Sequence, residues 1–432
     1  MKVVIMAGGK GTRIASVNSD VPKPMIPIDG KPILEYQINA LAAQGYCEII
    51  LIIGHLGHVI RDYFEDGSKW NVQISYIEEN TPLGTAGALF YLKEQIKDDF
   101  LLLNGDIIFD VDIRRFLAYH KAQGTMATIL THPNSHPYDS GIIVADNDGR
   151  ATNWLHKEDP RLWYRNRVNA GLHMLSPRIF SFFSDLQKKD LDRDILKPLI
   201  IQRELSVYDS PEYIKDMGTP DRYYSVIEDI HSGKVAAKNL ARKQKAIFLD
   251  RDGTINKYVG FLTNIDEFEL LDGVAEAIRQ INESGYLAIV ASNQPVIARG
   301  EVSPEELQEI HNKMETLLGK EGVFLDDVFF CPHHPDKGYP EENPAYKIPC
   351  ECRKPKTGMI EKAAERFNID LKESWMIGDT TMDIQTGVNA GMRTALVLTG
   401  EAGKDKKYDV KPDLVCENLL DAVEKILKSE DR

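Results

Sequence analysis

Ala246-Ile-Phe-Leu-Asp-Arg-Asp-Gly-Thr-Ile255 constrains the fold more than any other stretch of the chain. Four apolar residues, 246–249, read as a buried strand that delivers Asp250 and Asp252 onto a tight turn made possible by Gly253. Strand and helix patterns then alternate. Strands are predicted at 287–291, 328–330, 375–377 and 394–398, and helices near 274–284, 304–318, 358–368 and 381–390. Ser303-Pro-Glu-Glu306 gives one of these helices a capping serine, a first-turn proline and a glutamate placed to close a capping box. The alternation implies an α/β domain with a parallel sheet covered by helices and its chemistry at the carboxyl ends of the strands.

Asp250 and Asp252 point to the same side of an extended chain, so one carboxylate can attack phosphorus while the other gives and takes protons. A magnesium ion between them would offset their repulsion and the phosphate charge. The alternative, an Asp-rich strand end in solvent, fits a lone Asp-x-Asp better than Asp-x-Asp-Gly-Thr directly after an apolar strand. Three further stretches fall at strand ends or carry cations: Ala291-Ser-Asn-Gln294, Gly378-Asp-Thr-Thr-Met-Asp383 and Arg353-Lys-Pro355. Together these motifs resemble the haloacid dehalogenase-like phosphatases, and the resemblance implies a Rossmannoid domain. It makes Asp250 the nucleophile, Asp252 the acid/base, Ser292 a phosphate-binding hydroxyl and Lys354 the charge-stabilising lysine. Asp379 becomes the last ligand of a magnesium ion held with Asp250 and Asp252.

Cys331-Pro-His333 and Cys350-Glu-Cys352 offer three thiolates and an imidazole, a tetrahedral zinc set, with His334 as the competing imidazole. Residues 334–349 between them hold four prolines and no periodic core pattern, so a metal would order what a core cannot. Four protein ligands leave no open position for water, which makes the zinc structural. It would fix the loop carrying Arg353 and Lys354. With Asn293, Gln294 and Ile297-Ala-Arg299-Gly300, the zinc loop looks like that of the D-glycero-D-manno-heptose 1,7-bisphosphate phosphatases, which have histidinol phosphatases as relatives. Pro295 and Val296 replace the family's Ser-Gly and leave Arg299 in place.

The N-terminal half carries a second set. Residues 2–6 read as a strand running into Ala7-Gly-Gly-Lys-Gly-Thr-Arg13, where Gly8, Gly9 and Gly11 let the backbone approach phosphate and Lys10 and Arg13 add charge. Pro22-Lys-Pro24 holds Lys23 on a stiff segment. These residues resemble the sugar-1-phosphate nucleotidyltransferases, which implies a Rossmann-like domain with a mixed sheet. On that resemblance Gly8, Gly9, Gly11 and Thr12 cradle the nucleotide, Arg13 meets the leaving pyrophosphate and Lys23 a phosphate. Pro82-Leu-Gly84-Thr85-Ala-Gly87 meets the base. Asp106 and Asp216 share a second magnesium ion, and Asp139, Gly141, Lys157 and Asn169 contact the sugar. His156 stands where that family has glutamate, and it either reads a different hydroxyl pattern or is a surface histidine.

At 432 residues the chain exceeds one ordinary core, and domains at 1–232 and 245–432 joined by a Lys/Ala-rich linker at 233–244 are expected. The net charge of -14 argues against nucleic-acid or anionic-membrane partners and leaves small phosphorylated substrates at local basic sites. The apolar runs are strand-sized, residues 1–15 lack signal-peptide features, and three of five cysteines share one short segment. A cytoplasmic protein without membrane spans is therefore expected; the number of copies per particle stays open, a homo-oligomer included. The two resemblances fit as consecutive steps: removal of the 7-phosphate from heptose 1,7-bisphosphate, then nucleotidyl transfer, with GTP as donor, to heptose 1-phosphate. Two alternatives are the same chemistries on another sugar phosphate with UTP or CTP, and one domain kept as a non-catalytic module.

Overall fold

The apolar runs near the start of the chain become neighbouring strands of one sheet. Val3–Met6 lies between Glu48–Ile53 and Phe100–Asn104, parallel to both, with Val3 opposite Ile49 on one side and Leu101 on the other. This computed structural model describes residues 1–9, 21–336, 338 and 341–430; Gly11, Thr12 and Arg13 lie outside the described residues. The chain divides into two units, one of Met1–His132, Ile143–His156 and Val168–Asn239, the other of Pro133–Ile142, Lys157–Arg167 and Leu240–Arg432. Among the described residues no helix is long and apolar enough to cross a membrane.

In the first unit the sheet is mixed, because Val168–Leu175 runs antiparallel to Phe100–Asn104. Its central strands are covered on both faces, and successive side chains show it. Val3, Ile5, Leu51, Leu101 and Leu103 enter one core, and Val4, Ile50, Ile52 and Leu102 the other. The carboxyl ends of Val3–Met6 and Phe100–Asn104 therefore present Gly8-Gly9 and Gly105-Asp106 side by side. Beyond them Ile107–Asp110 pairs antiparallel with Tyr213–Asp216, placing Asp216 opposite Ile107, and the Met217 amide donates to the Asp106 carbonyl at 2.9 Å.

The second unit has a wholly parallel sheet. Its order runs Asp327–Cys331, Tyr286–Asn293, Lys245–Leu249, Trp375–Gly378, Arg393–Val397 and Leu414–Cys416. The chain winds outward in one direction from Lys245–Leu249, then returns to start again at Trp375–Gly378. The crevice between these two strand ends is where an open α/β sheet binds its ligand. Ile247 and Leu249 pack under Val274–Glu283, Pro304–Lys320 and Leu419–Glu430, while Ala246 and Phe248 pack under Gly358–Phe367. Each such buried large side chain contributes about 1.5–3 kcal/mol, and the strand is held so firmly that its last residues have fixed directions. The capping box expected at Ser303 is present, with Glu306 N–H donating to Ser303 Oγ at 3.1 Å and Ser303 N–H to Glu306 Oε2 at 2.7 Å.

Two segments inside the first stretch of sequence, Pro133–Ile142 and Lys157–Arg167, group with the second unit. Polar anchors explain it. Arg167, 1% exposed, donates to Glu315 Oε2 at 3.3 Å and to the Asp326 carbonyl at 2.8 Å; Arg165 pairs with Asp327 at 2.9 Å, and Tyr164 N–H donates to Thr316 Oγ1 at 2.9 Å.

Candidate active sites

In the first unit the strand ends open into a cavity of about 810 Å³ lined by Gly8, Gly9, Lys23, Glu79, Gly84, Thr85 and Asp106, among others. A Cβ at Gly8 would come within 2.7 Å of Glu79 Oε2 and 3.3 Å of Gly54 N, so a side chain here would push the Glu79 carboxylate aside. Lys23 sits on a 3-10 turn, Lys23–Met25, closed by the Met25 amide on the Pro22 carbonyl at 2.8 Å, and its ammonium pairs with Asp106. Both oxygens of Asp216 accept from Arg222 Nη1, at 2.9 and 2.7 Å, and Gly218 N–H adds a third bond at 2.9 Å. Burial pushes the Asp216 carboxyl up, but Arg222, the Gly218 amide and Lys23 together hold it below the usual range.

The remaining sequence candidates of this unit separate. Thr85 Oγ1 accepts from Leu191 N–H at 2.7 Å and donates to Asp190 at 3.4 Å, so it ties down a neighbouring turn. Asn169 accepts the Gly171 amide at 3.1 Å on its own strand. Asp139, Gly141 and Lys157 belong to the two segments that group with the second unit. Sequence reading missed Glu79. Burial raises its carboxyl above the ordinary value, one oxygen accepts Leu83 N–H at 3.3 Å, and the other faces Gly8. The available signal was its place just before Pro82-Leu-Gly84.

In the second unit Asp250 follows Leu249 directly, and its amide donates to the Ile377 carbonyl at 2.9 Å, locking it beside the next strand. Lys354 Nζ donates to Asp250 Oδ1 at 2.7 Å and to Asp383 Oδ1 at 2.5 Å. Asp250, Asp379 and Asp383 bring one oxygen each within 4.8 Å of one another. Gly253 has φ +81, and a side chain there would run into Asp379, so the turn is possible only for glycine. Burial raises Asp379 to about 8, helped by Asp250 and Asp383, and raises Asp250 to about 6 against the pull of Lys354. Lys354 goes the other way: burial alone would lower it, yet the two carboxylates hold it above the ordinary lysine value.

Asp252 differs from expectation. Its carboxylate does not join the cluster but accepts from Arg251 at 2.8 and 2.9 Å, Asn256 at 3.0 Å and Gln294 at 2.8 Å. Asp383 joins it instead, a residue of the Gly378–Asp383 stretch whose carboxylates the sequence offers to a magnesium site, although the resemblance singles out Asp379 alone. The other oxygen of Asp383 accepts from Thr380 N–H and Oγ1, at 3.1 and 2.5 Å, starting helix Thr381–Asn389 as a capping box. Ser292, 1% exposed, receives Gln294 Nε2 at 2.9 Å. Asn293 holds the Lys354 backbone through its amide at 2.9 Å and its carbonyl at 3.2 Å, while Arg299 stacks on Phe261 at 4.1 Å and pairs with Glu301 at 2.7 Å.

Cys331, His333, Cys350 and Cys352 form a second group of ligand atoms within 4.8 Å of one another. Their contacts are Cys331–Cys350 3.6 Å, Cys331–Cys352 3.1 Å, and His333 Nδ1 at 3.3 Å from Cys352 and 3.7 Å from Cys331. A tetrahedron with metal–sulfur bonds of about 2.3 Å has edges of roughly 3.8 Å, so the group fits one metal ion. Hydrogen bonding from Cys331 lowers the Cys352 thiol to about 5. His334 instead accepts the Asp336 amide at 3.2 Å, and Arg353 Nη1 donates to the His333 carbonyl at 3.1 Å, tying this group to the Lys354 loop. The carboxylate cluster fits a cation as well. Asp379 Oδ1 is buried without a hydrogen-bond partner, and three close carboxylates face one ammonium.

Residues 2–233 match the nucleotidyl transferase family, and residues 351–422 the HAD-hydrolase-like family. The D-glycero-beta-D-manno-heptose-1,7-bisphosphate 7-phosphatase of Haemophilus ducreyi is 41% identical over 182 residues, which is 42% of this chain and 97% of that protein. The protein of the same name from Escherichia coli is 38% identical over 192 residues, 44% of this chain and 98% of that one. The crystal structure of HddC from Yersinia pseudotuberculosis complexed with GMP-PN is 28% identical, covering 53% of this chain and 99% of that one with a TM-score of 0.46; the assignment of the first unit rests on the family match instead. The chain thus belongs to the nucleotidyl transferase family through its N-terminal half and, through its C-terminal half, to the HAD-like hydrolases, with heptose-bisphosphate phosphatases as its relatives.

Proposed function

We propose that this chain is a bifunctional enzyme that removes the 7-phosphate of D-glycero-D-manno-heptose 1,7-bisphosphate and then transfers GMP from GTP to the resulting heptose 1-phosphate, giving GDP-heptose and pyrophosphate. The observation that carries the reading is the presence in one chain of a carboxylate–lysine cluster at the switch point of a phosphatase-like sheet and a glycine-lined cavity in a nucleotidyl transferase unit. The working division is 1–232 for transfer, 233–244 as linker and 245–432 for hydrolysis. Phosphorylated sugar and nucleotide substrates place both reactions in the cytoplasm.

In the second unit Asp250 attacks phosphorus while Asp252 gives its proton to the departing sugar oxygen. Water then attacks the phosphoryl group on Asp250, and Asp252 takes the proton back. Lys354 and Ser292 hold phosphate oxygens, with Asn293, Arg299 and Arg353 around them. Magnesium held by Asp250, Asp379 and Asp383 would neutralise charge on the phosphoryl group. Zinc on Cys331, His333, Cys350 and Cys352 would fix the loop that carries Arg353 and Lys354.

In the first unit a sugar phosphate oxygen attacks the α-phosphorus of GTP while Lys23 and Arg13 balance phosphate charge; Asp106 and Asp216 would hold magnesium, which would add positive charge at the phosphates. Gly8, Gly9, Gly11 and Thr12 would carry the nucleotide, and Asn169 would meet the sugar. Glu79 supports guanine. A carboxylate only accepts hydrogen bonds, and guanine alone among the bases presents two adjacent donors, N1–H and N2–H, on one edge. Uracil offers one donor flanked by carbonyl oxygens that a carboxylate would repel.

The test is incubation of the full chain with heptose 1,7-bisphosphate and each of the four ribonucleoside triphosphates, followed by mass spectrometry. GDP-heptose, one phosphate and one pyrophosphate are expected. Equal product with UTP or CTP would remove the guanine assignment, and absence of phosphate release would remove the phosphatase.

A further inference from the structure

Arg251, between the two aspartates of the opening motif, has a fully buried side chain. Its Nη2 donates to both oxygens of Asp252, at 2.9 and 2.8 Å, and its Nε to Oδ1 at 3.2 Å. That arrangement is a fork locked onto a carboxylate: burial pushes Asp252 up, but Arg251, Gln294 and Asn256 hold it below the usual range, and the charge of a substrate phosphate beside it is what raises it enough to carry a proton. The remaining arm, Nη1, meets Nε2 of His311 at 3.2 Å. His311 stands on helix Pro304–Lys320, is 2% exposed, and packs its ring 5.2 Å from that of Phe330. A guanidinium has only donors, so the contact is favourable when Nε2 carries its lone pair and the imidazole is neutral. Burial first, and the charge of Arg251 second, hold His311 down at about 3, so it is neutral throughout the working range.

We propose that His311 is a positioning residue for phosphate-ester hydrolysis: as a buried neutral acceptor it orients Arg251, and Arg251 in turn fixes the Asp252 carboxylate in the rotamer that hands a proton to the leaving alcohol. Without His311, one arm of Arg251 is an unsatisfied donor in the interior, and the guanidinium turns to find another partner, carrying Asp252 with it. The reaction itself is conserved in atoms and charge. The phosphorus–oxygen bond to the sugar breaks as the bond to Asp250 forms, and the sugar oxygen takes the Asp252 proton. Water then replaces Asp250 on phosphorus and returns a proton to Asp252.

This inference rests on the phosphatase reading, and the test separates the two. The quantity to measure is kcat/KM, which reports steps up to departure of the leaving group. Heptose 1,7-bisphosphate needs a proton for its alkoxide; p-nitrophenyl phosphate, whose phenolate leaves unaided, does not. General acids contribute about 10²–10⁴-fold, so His311→Leu should lower kcat/KM on the sugar phosphate by roughly 30-fold and on the aryl phosphate by less than about threefold. His311→Gln, whose amide oxygen can accept from Arg251, should recover most of the loss. Arg251→Lys, which keeps the charge without the fork, must show the same split and stands in if His311→Leu does not fold. Equal losses on both substrates in both variants, or a glutamine variant as poor as the leucine one, would overturn the proposal. A wild-type chain inactive on both substrates would instead overturn the phosphatase reading.

Discussion

In the second unit three buried carboxylates, Asp250, Asp379 and Asp383, share one ammonium, Lys354, whereas in the first unit Asp106 is paired with Lys23 and Asp216 with Arg222. Fully ionised, the carboxylates around Lys354 keep two uncompensated negative charges, and the Lys23–Asp106 and Arg222–Asp216 pairs keep none. The second centre is thus built to take a divalent cation before any substrate arrives. The two pairs of the first are balanced at rest, and on the proposed mechanism Asp106 would become free for a metal only when Lys23 is drawn away, which the phosphates of a nucleotide can do. On the proposed function the same residue types would thus give a standing metal centre in one unit and a substrate-dependent one in the other.

Removing Lys23 breaks this difference most severely. Lys23→Met should lower pyrophosphate release by roughly 10³-fold, as loss of a charge-stabilising group on a transferring phosphoryl does, and leave phosphate release unchanged. It should also let calorimetry detect a second magnesium site without nucleotide. If nucleotide-free binding stays at one site, Lys23 is not what silences the first centre.

Glu79→Gln should lower the preference for GTP over UTP by about 10- to 100-fold, the range of one well-formed bidentate contact to a base. Measured kcat/KM ratios that do not move would remove Glu79 as the base-reading residue.

Cys350→Ser touches only the second unit's other metal group. It should reduce bound zinc and lower the melting temperature of that unit by roughly 5 °C or more, with the transfer reaction intact. Full zinc content in the variant would contradict the assignment.

The smallest effect is one of pH. Asp379 and Asp250 rise from 3.8 to about 8 and about 6 in the folded state. Raised carboxyls stabilise the fold only while protonated, so their contribution is complete below about pH 4 and disappears as pH climbs through about 8. With metal removed, the melting temperature of the second unit should fall by a few degrees across that window, and added magnesium should flatten the decline. Asp216 is held low and acts only on the acid side, while Asp192 is raised to about 6 and Glu79 is raised as well, so the decline of the first unit should end at lower pH than that of the second.

Much of this was legible in the chain. Residues 246–249 had to be a strand because four apolar side chains in a row cannot alternate with solvent, and Tyr286–Asn293, Trp375–Gly378, Val274–Glu283 and Gly358–Phe367 appear close to their predicted places for the same reason of period and burial. Asp250, Lys354 and Asp379, which the fold gathers at one strand end, could be singled out because chemistry at strand ends leaves short, dense motifs. What escaped depends on contacts far apart in sequence. Asp252 looks identical to a metal ligand until Arg251, Asn256 and Gln294 occupy it. Glu79 gains meaning only when folding sets it against Gly8. The segments Pro133–Ile142 and Lys157–Arg167 carry no composition shift; what assigns them to the second unit includes buried anchors such as Arg167 on Glu315, a pair 148 residues apart.

Asp250→Asn tests the central claim of two independent, consecutive chemistries most directly. With heptose 1,7-bisphosphate and GTP, mass spectrometry should find no GDP-heptose from the variant, while heptose 1-phosphate and GTP should give it at the wild-type rate. Loss of transfer from heptose 1-phosphate, or GDP-heptose formed from the bisphosphate, would contradict it.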